Sequence, residues 1–171
     1  MLTFCAVKPC CFSAWLLAAA TMSIPAYAAN VCDAVYQSDI KYLQTPSHTY
    51  IVMTTDGKPE IMEGIFAGGA EYLKVNGQWQ RSPIPQQKAI EDTQKKSKTH
   101  PDTCAVGGNQ SKDGQASTFY KVHNTQKGTD TAVWIAQSSG LVAHETANLG
   151  GGGTMDTRID YSNVQPPAGV K

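Results

Sequence analysis

From residue 48 onward, short turn signals cut the chain into runs rich in β-branched and aromatic residues, and this punctuation restricts the fold more than any other feature. The runs are 48–55 (HTYIVMTT), 60–69 (EIMEGIFAGG), 72–81 (YLKVNGQWQR), 117–126 (STFYKVHNTQ), 131–137 (TAVWIAQ), 141–148 (LVAHETAN) and 155–164 (MDTRIDYSNV). Such side chains suit a pleated, half-buried surface. Between the runs lie DGKP at 56–59, Asn76-Gly77, KGTD at 127–130, SSG at 138–140 and four glycines at 150–153. Connections this short join antiparallel neighbours, because a parallel pair needs a crossover of about a dozen residues. Asn76-Gly77 is the sharpest of them: both residues tolerate positive φ and suit a type I′ turn.

Alternation then assigns faces. In 155–164, Met155, Thr157, Ile159 and Tyr161 share one face, opposite Asp156, Arg158, Asp160 and Ser162. The run 131–137 is apolar on both sides, with Val133 and Ile135 on one and Trp134 among alanines on the other. That predicts a sheet covered on both faces or curved around a lined hollow, with Gly64, Gly68 and Gly69 allowing the bend. Two segments have helical character. AVYQSDIKYLQ (34–44) follows a capping Asp33, groups Val35, Ile40 and Leu43, and stops before Pro46. QQKAIEDTQKKSK (86–98) offers only Ala89 and Ile90 to a core, so a helix there lies on the surface or frays. Residues 99–115 read as a polar loop that needs an anchor. The expected class is α+β: a curved antiparallel sheet, an incomplete barrel of about seven to eight strands, with one or two helices packed on it.

The N-terminus reads as a secretory signal peptide at 1–28. Lys8 is the sole charge before Asp33, an apolar run follows at 11–24, and Ala26-Tyr27-Ala28 is a small-residue cleavage site. The run is shorter than the roughly 20 residues that span a bilayer. Cys10, Cys11 and Cys32 lack a lipoprotein cleavage box, so no lipid anchor is expected. The mature chain, 29–171, is expected to be a single soluble domain, periplasmic or secreted. Cys5, Cys10 and Cys11 leave with the leader; Cys32 and Cys104 remain, and two thiols of an exported chain are expected to pair. A redox pair or metal site would need Cys-x-x-Cys spacing or further ligands.

Fourteen basic and fourteen acidic residues balance. That argues against nucleic acid, whose phosphates demand a basic surface. No catalytic set emerges. His48, His100, His123 and His144 have no metal spacing, and His144-Glu145 lacks the second histidine of a zinc protease. Ser138-Ser139-Gly140 lacks the nucleophile-elbow pattern, and the 150–153 glycines lack the Lys-Ser/Thr of a phosphate loop. Neither cofactor nor metal is expected. Adaptable Met53 and Met62, with Trp79, Trp134 and Tyr161, are the candidates to line a hollow for an acyl chain or another apolar ligand; the alternative is that they are plain core.

Two stretches carry a family resemblance. YLKVNGQWQRSP (72–83) is similar to a strand, turn and Trp-bearing strand, and AVWIAQSSGLVAHETANLGGGGTMDTRIDYSNVQPP (132–167) to a C-terminal hairpin and last strand, of the LolA/LolB-like outer-membrane lipoprotein carriers. The resemblance implies an incomplete barrel whose apolar hollow, closed by helices, accepts acyl chains. Two functions are therefore expected in competition: a non-catalytic binder of an apolar ligand or lipidated partner, and a structural or protein-interaction domain of the cell envelope.

Overall fold

The computed structural model describes residues 31–99 and 101–170; the expected leader at 1–28, with its three cysteines, and His100 lie outside the described residues. Two helices pack on one open, curved sheet of nine antiparallel strands. The order is α1 (Val31–Gln44), β1 (Ser47–Thr55), β2 (Lys58–Ala67), β3 (Ala70–Val75), β4 (Gln78–Arg81), α2 (Gln86–Thr99), β5 (Asp102–Lys112), β6 (Gln115–Asn124), β7 (Thr129–Ala136), β8 (Val142–Gly150) and β9 (Gly153–Asp160).

Spatially the strands run β4-β3-β2-β1-β9-β8-β7-β6-β5. Two meanders, β1–β4 and β5–β9, thus meet through the β1–β9 pair, with Ile51 opposite Thr157 and Met53 opposite Met155. Only one connection is long. It leaves β4 at one edge of the sheet and re-enters as β5 at the other, and α2 lies on it. Tight turns make the rest: Asn76 and Gly77 take φ of 51° and 78°, the left-handed pair expected for a two-residue hairpin.

The expected polar loop at 99–115 is instead largely β5. It pairs with β6 from Asp102↔Asn124 to Lys112↔Gln115, with a bulge between Val106 and Gly108. β5 is an edge strand with exposed side chains over most of its length, so polar and glycine residues serve there. Its turn, Asp113-Gly114, repeats the dihedrals of Asn76-Gly77 (φ 51° and 78°). This strand brings the count to nine.

The core lies where α1 meets the second meander: Val35 packs with Val122, Val133, Ile135 and Val142. Cys32 and Cys104 form a disulfide with Cα atoms 5.2 Å apart, fixing the start of α1 to β5. Beside it Asp102 is buried and accepts hydrogen bonds from Tyr36 Oη (2.9 Å) and Asn124 Nδ2 (2.6 Å), and an ion pair from Lys96 Nζ of α2 (2.8 Å). One carboxylate therefore ties α1, α2, β5 and β6 together. α2 is a full helix on the surface with Ile90 buried, supported by Gln87–Glu91 (3.1 Å) and a Lys88–Asp92 pair on its exposed side.

Candidate functional site

Antiparallel register decides which side chains share a face, because residues directly opposite point the same way. The core cluster under α1 and the Tyr42–Thr49 hydroxyl contact (3.2 Å) mark the helix-side face. Thr49 pairs with Ile159, Ile51 with Thr157 and Met62, and Glu145 with Thr157 and Val133, so all of these lie on that side.

The sheet divides the five residues named from the sequence. Met53 and Met62 lie on the helix side, diagonal to one another: Met53 pairs with Glu60 and Met62 with Ile51. Tyr161 continues the Thr157–Ile159 face, and its hydroxyl donates to the Val142 carbonyl at 2.6 Å. Trp134 alternates with Val133 and Ile135 and so lies on the opposite face. There it stacks on Phe119 (4.9 Å), meets His144 edge-on (5.5 Å) and donates to Gln110 Oε1 (2.9 Å). Trp79 pairs with Lys74, stands 6.1 Å from His48 and shares that outer face. The structure therefore puts two methionines and a tyrosine on the helix-side face and leaves both tryptophans outside, and none of the five lines the hollow beneath the helices.

A hollow of about 340 Å³ lies between α1, α2 and strands β1, β8 and β9. Ile51, Met155 and Ile159 rise from the sheet, Val142 flanks them, and Tyr42 and Leu43 face them from α1. A volume of this size is at the small end of ligand pockets, roughly 300–1,000 Å³. A second cavity of about 760 Å³ crosses β5–β9 without any helix residue in its walls. Most of its lining belongs to the outer face, including Phe119, Lys121, His123, Asp130, Thr146 and Asp156, and the row Cys104, Val122, Thr131, Ala147 and Met155 runs between them. Met155 borders both spaces.

Six polar residues line the smaller hollow. Tyr42 and Thr49 meet each other, and Thr93 donates to the Ala89 carbonyl (3.0 Å). Asp39, Glu145 and Thr157 remain, and of these only Thr157 was legible as a member of an inward face. Thr157 is 6% exposed, and its Oγ1 has no hydrogen-bond partner. Asp39 comes from α1, four residues after Val35 and three before Tyr42, hence on the apolar stripe. Burial, with the charge of Glu145 adding to it, pushes its carboxyl up to about 7. Glu145 projects from β8; burial raises its carboxyl too, against the opposing pull of the Lys96 and His144 charges. The Tyr42 hydroxyl is raised by burial as well. No hydrogen bond or ion pair joins either carboxyl to another group among the described residues. The spacing from Val35 was the available signal for Asp39. For Glu145 the alternation misleads: β8 shifts register between Val142 and His144, leaving Ala143 unpaired and turning Glu145 inward.

Among the described residues, no group of three or more His, Cys, Asp or Glu is placed to hold a metal ion, and no helix is long and apolar enough to cross a membrane.

No protein-family model matches the sequence, and no curated protein matches it. Solved structures do. The MucA/MucB complex of Pseudomonas aeruginosa aligns with a TM-score of 0.51 at 11% identity, over 81% of this chain and 59% of that one. MucB alone aligns at 0.50 and 13% identity, over 82% of this chain and 62% of that chain. The Mycobacterium tuberculosis lipoprotein LppX aligns at 0.48 and 11% identity, over 79% of this chain and 97% of its own. The chain spans about six-tenths of the MucB chains it matches. At these identities the likeness shows the fold: the chain shares with MucB the open curved sheet that the resemblance of 72–83 and 132–167 implied.

Proposed function

We propose that the protein is an exported, non-catalytic binding protein that holds an apolar or lipid-like ligand, or a lipidated partner, between its helices and the curved sheet. The observation that carries this reading is the hollow itself. Ile51, Met155 and Ile159 leave part of their apolar surface open to this volume beneath α1. Apolar surface left open in this way gains about 25 cal/mol per Å² when a ligand covers it. Met53, Met62 and Tyr161 border this side of the sheet and are proposed to contribute to the ligand's surroundings. Export rests on the leader read at 1–28, which places the protein in the periplasm or outside the cell and suits a disulfide.

Native mass spectrometry of protein purified from the envelope tests the reading. The expected result is a population carrying a lipid-sized adduct, lost in Ile159→Trp, which fills the hollow. Repeated absence of any adduct from the unmodified protein overturns it.

A second reading has its own observation. The outer face carries Trp79, Tyr50, Trp134 and Phe119, with Lys74, Arg158 and Lys112 placed over the rings at 4.9–5.6 Å. The similar MucB fold occurs in a complex with MucA. On this reading the protein is an interaction domain of the envelope, and Trp134→Ala releases a co-purifying protein while leaving lipid content unchanged.

A further inference from the structure

A hollow built only for hydrocarbon has no use for ionisable groups, yet this one contains two carboxyls and an unpartnered hydroxyl. Asp39 enters from α1, Glu145 from β8 and Thr157 from β9, so three separate elements deliver oxygen acceptors to one space. Each acceptor lacks a partner among the described residues. Thr157 is the most telling: 94% of its surface is covered, and nothing in the fold uses its Oγ1. A buried hydroxyl left unpaired is unfavourable unless something else binds to it.

The charged groups around the hollow define what fits. Lys96 of α2 reaches toward both carboxyls electrostatically, but its ammonium is bound 2.8 Å from Asp102 Oδ2 and serves the carboxylate that ties the helices to β5. His144 lies on the other face, where its ring nitrogens meet Asp113 (2.7 Å) and Asp156 (3.2 Å). Asp102 adds further negative charge. The hollow therefore holds more acceptor capacity than the protein's own donors satisfy. An entering carboxylate head would meet like charge; an entering ammonium would meet complementary charge and hydrogen-bond acceptors.

Resting on the binding reading above, we infer that the hollow is specific for a single-chain amphiphile with a cationic amine head. Its ammonium is received by Asp39, Glu145 and Thr157 Oγ1, and its chain packs on Ile51, Met155 and Ile159. One cation between two carboxyls relieves both their mutual repulsion and their lost hydration. Binding then drives out the proton that burial had kept on the pair, so uptake of the amine is coupled to proton release.

The test is calorimetric titration of the full mature protein with three probes of equal chain length, decylammonium, decanol and decanoate, each below its micelle concentration. The titrations are run at pH 7 in two buffers of different ionisation enthalpy. Decylammonium is expected to bind at least about tenfold more tightly than decanoate, with a buffer-dependent heat that reports proton release. Asp39→Asn and Glu145→Gln, near-isosteric and checked for folding by circular dichroism, should each erase most of that preference while decanol binding persists. Thr157→Val should weaken decylammonium alone. Equal binding of all three probes, or a preference that survives both carboxyl variants, overturns the head-group assignment and leaves the apolar hollow standing. Failure of all three probes to bind overturns the hollow as a binding site, and the head-group assignment with it.

Discussion

Asp39 shows at a single position what a ligand-facing group does to stability. An aspartate ordinarily loses its proton near 3.8, and this one does so near 7 in the folded chain, because burial and the neighbouring Glu145 disfavour its charge. The folded state thus binds the proton more tightly than the unfolded state. Its contribution is fully present below about pH 4 and is lost as pH rises through 7. The charges of Glu145, Lys96 and Asp102 act on the same carboxyl, so the effect must be isolated by a variant. Asp39→Asn is expected to leave stability at pH 4 nearly unchanged and to raise it by about 2 kcal/mol at pH 8, a figure reduced for the water that reaches the hollow. Urea unfolding at the two pH values measures this, and a difference that does not grow with pH contradicts it. Asp102 is the counter-case. Burial would push its carboxyl up, but hydrogen bonds from Lys96 and Tyr36 outweigh that and hold it below the usual range. Lys96→Met therefore leaves a buried charge short of its cation and should cost about 2 kcal/mol near neutrality, read from the same melts. Thr157→Val, in contrast, removes a hydroxyl that nothing in the empty protein uses. It should stabilise the ligand-free chain by about 1 kcal/mol.

At the level of elements, β5 is the part that sequence patterning hides. Its bulge places Gly107 against Phe119: a Cβ built there would lie 2.1 Å from Cδ1 of the ring. The ring cannot retreat freely, since it stacks on Trp134. Gly107→Ala is expected to cost about 1–3 kcal/mol by overpacking and to shift the Trp134 fluorescence, whereas an unperturbed spectrum and midpoint would show that the ring yields. This arrangement explains what could and could not be read beforehand. β6, β7 and β9 were legible because alternation and turn chemistry agree in them, and MDTRIDY placed Met155, Thr157, Ile159 and Tyr161 on one face, as found. β5 was not, because an edge strand paired on one side has little need of apolar residues, and Gly107-Gly108 looks like a loop. Its hairpin signal, Asp113-Gly114, was nonetheless present. Trp79 and Trp134 were assigned to a lining by residue type; facing depends on register and curvature, which composition does not encode. Glu145 was concealed by the Ala143 irregularity, since one unpaired residue reverses the parity of everything after it.

For the molecule as a whole, stability rests on how two meanders and two helices are kept in one unit. The meanders share one seam, β1 against β9, and α1 packs on α2, β5, β7 and β8. α1 is held at its far end by Lys41 donating to the Ser139 carbonyl and by Tyr42 at Thr49, and at its start by the cystine. The hollow lies beneath α1, so whatever fixes that helix also shapes the site. The bridge joins residues 72 apart in sequence, and in the chain-entropy view a loop of that length removes about 4 kcal/mol of unfolded-state freedom. For a chain of this size that corresponds to a fall in Tm of roughly 10 °C when the bond is lost. Calorimetric scans of oxidised protein, reduced protein and the paired variant Cys32→Ala/Cys104→Ala should show that drop, with the last two agreeing. Because the core around Val35, Val133 and Val142 survives reduction, the reduced protein should still fold at 25 °C. It should bind decylammonium more weakly, as α1 gains freedom over the hollow. Unchanged midpoints would mean that the Asp102 network alone secures α1 to β5, and that the cystine contributes little to holding the helix over the sheet.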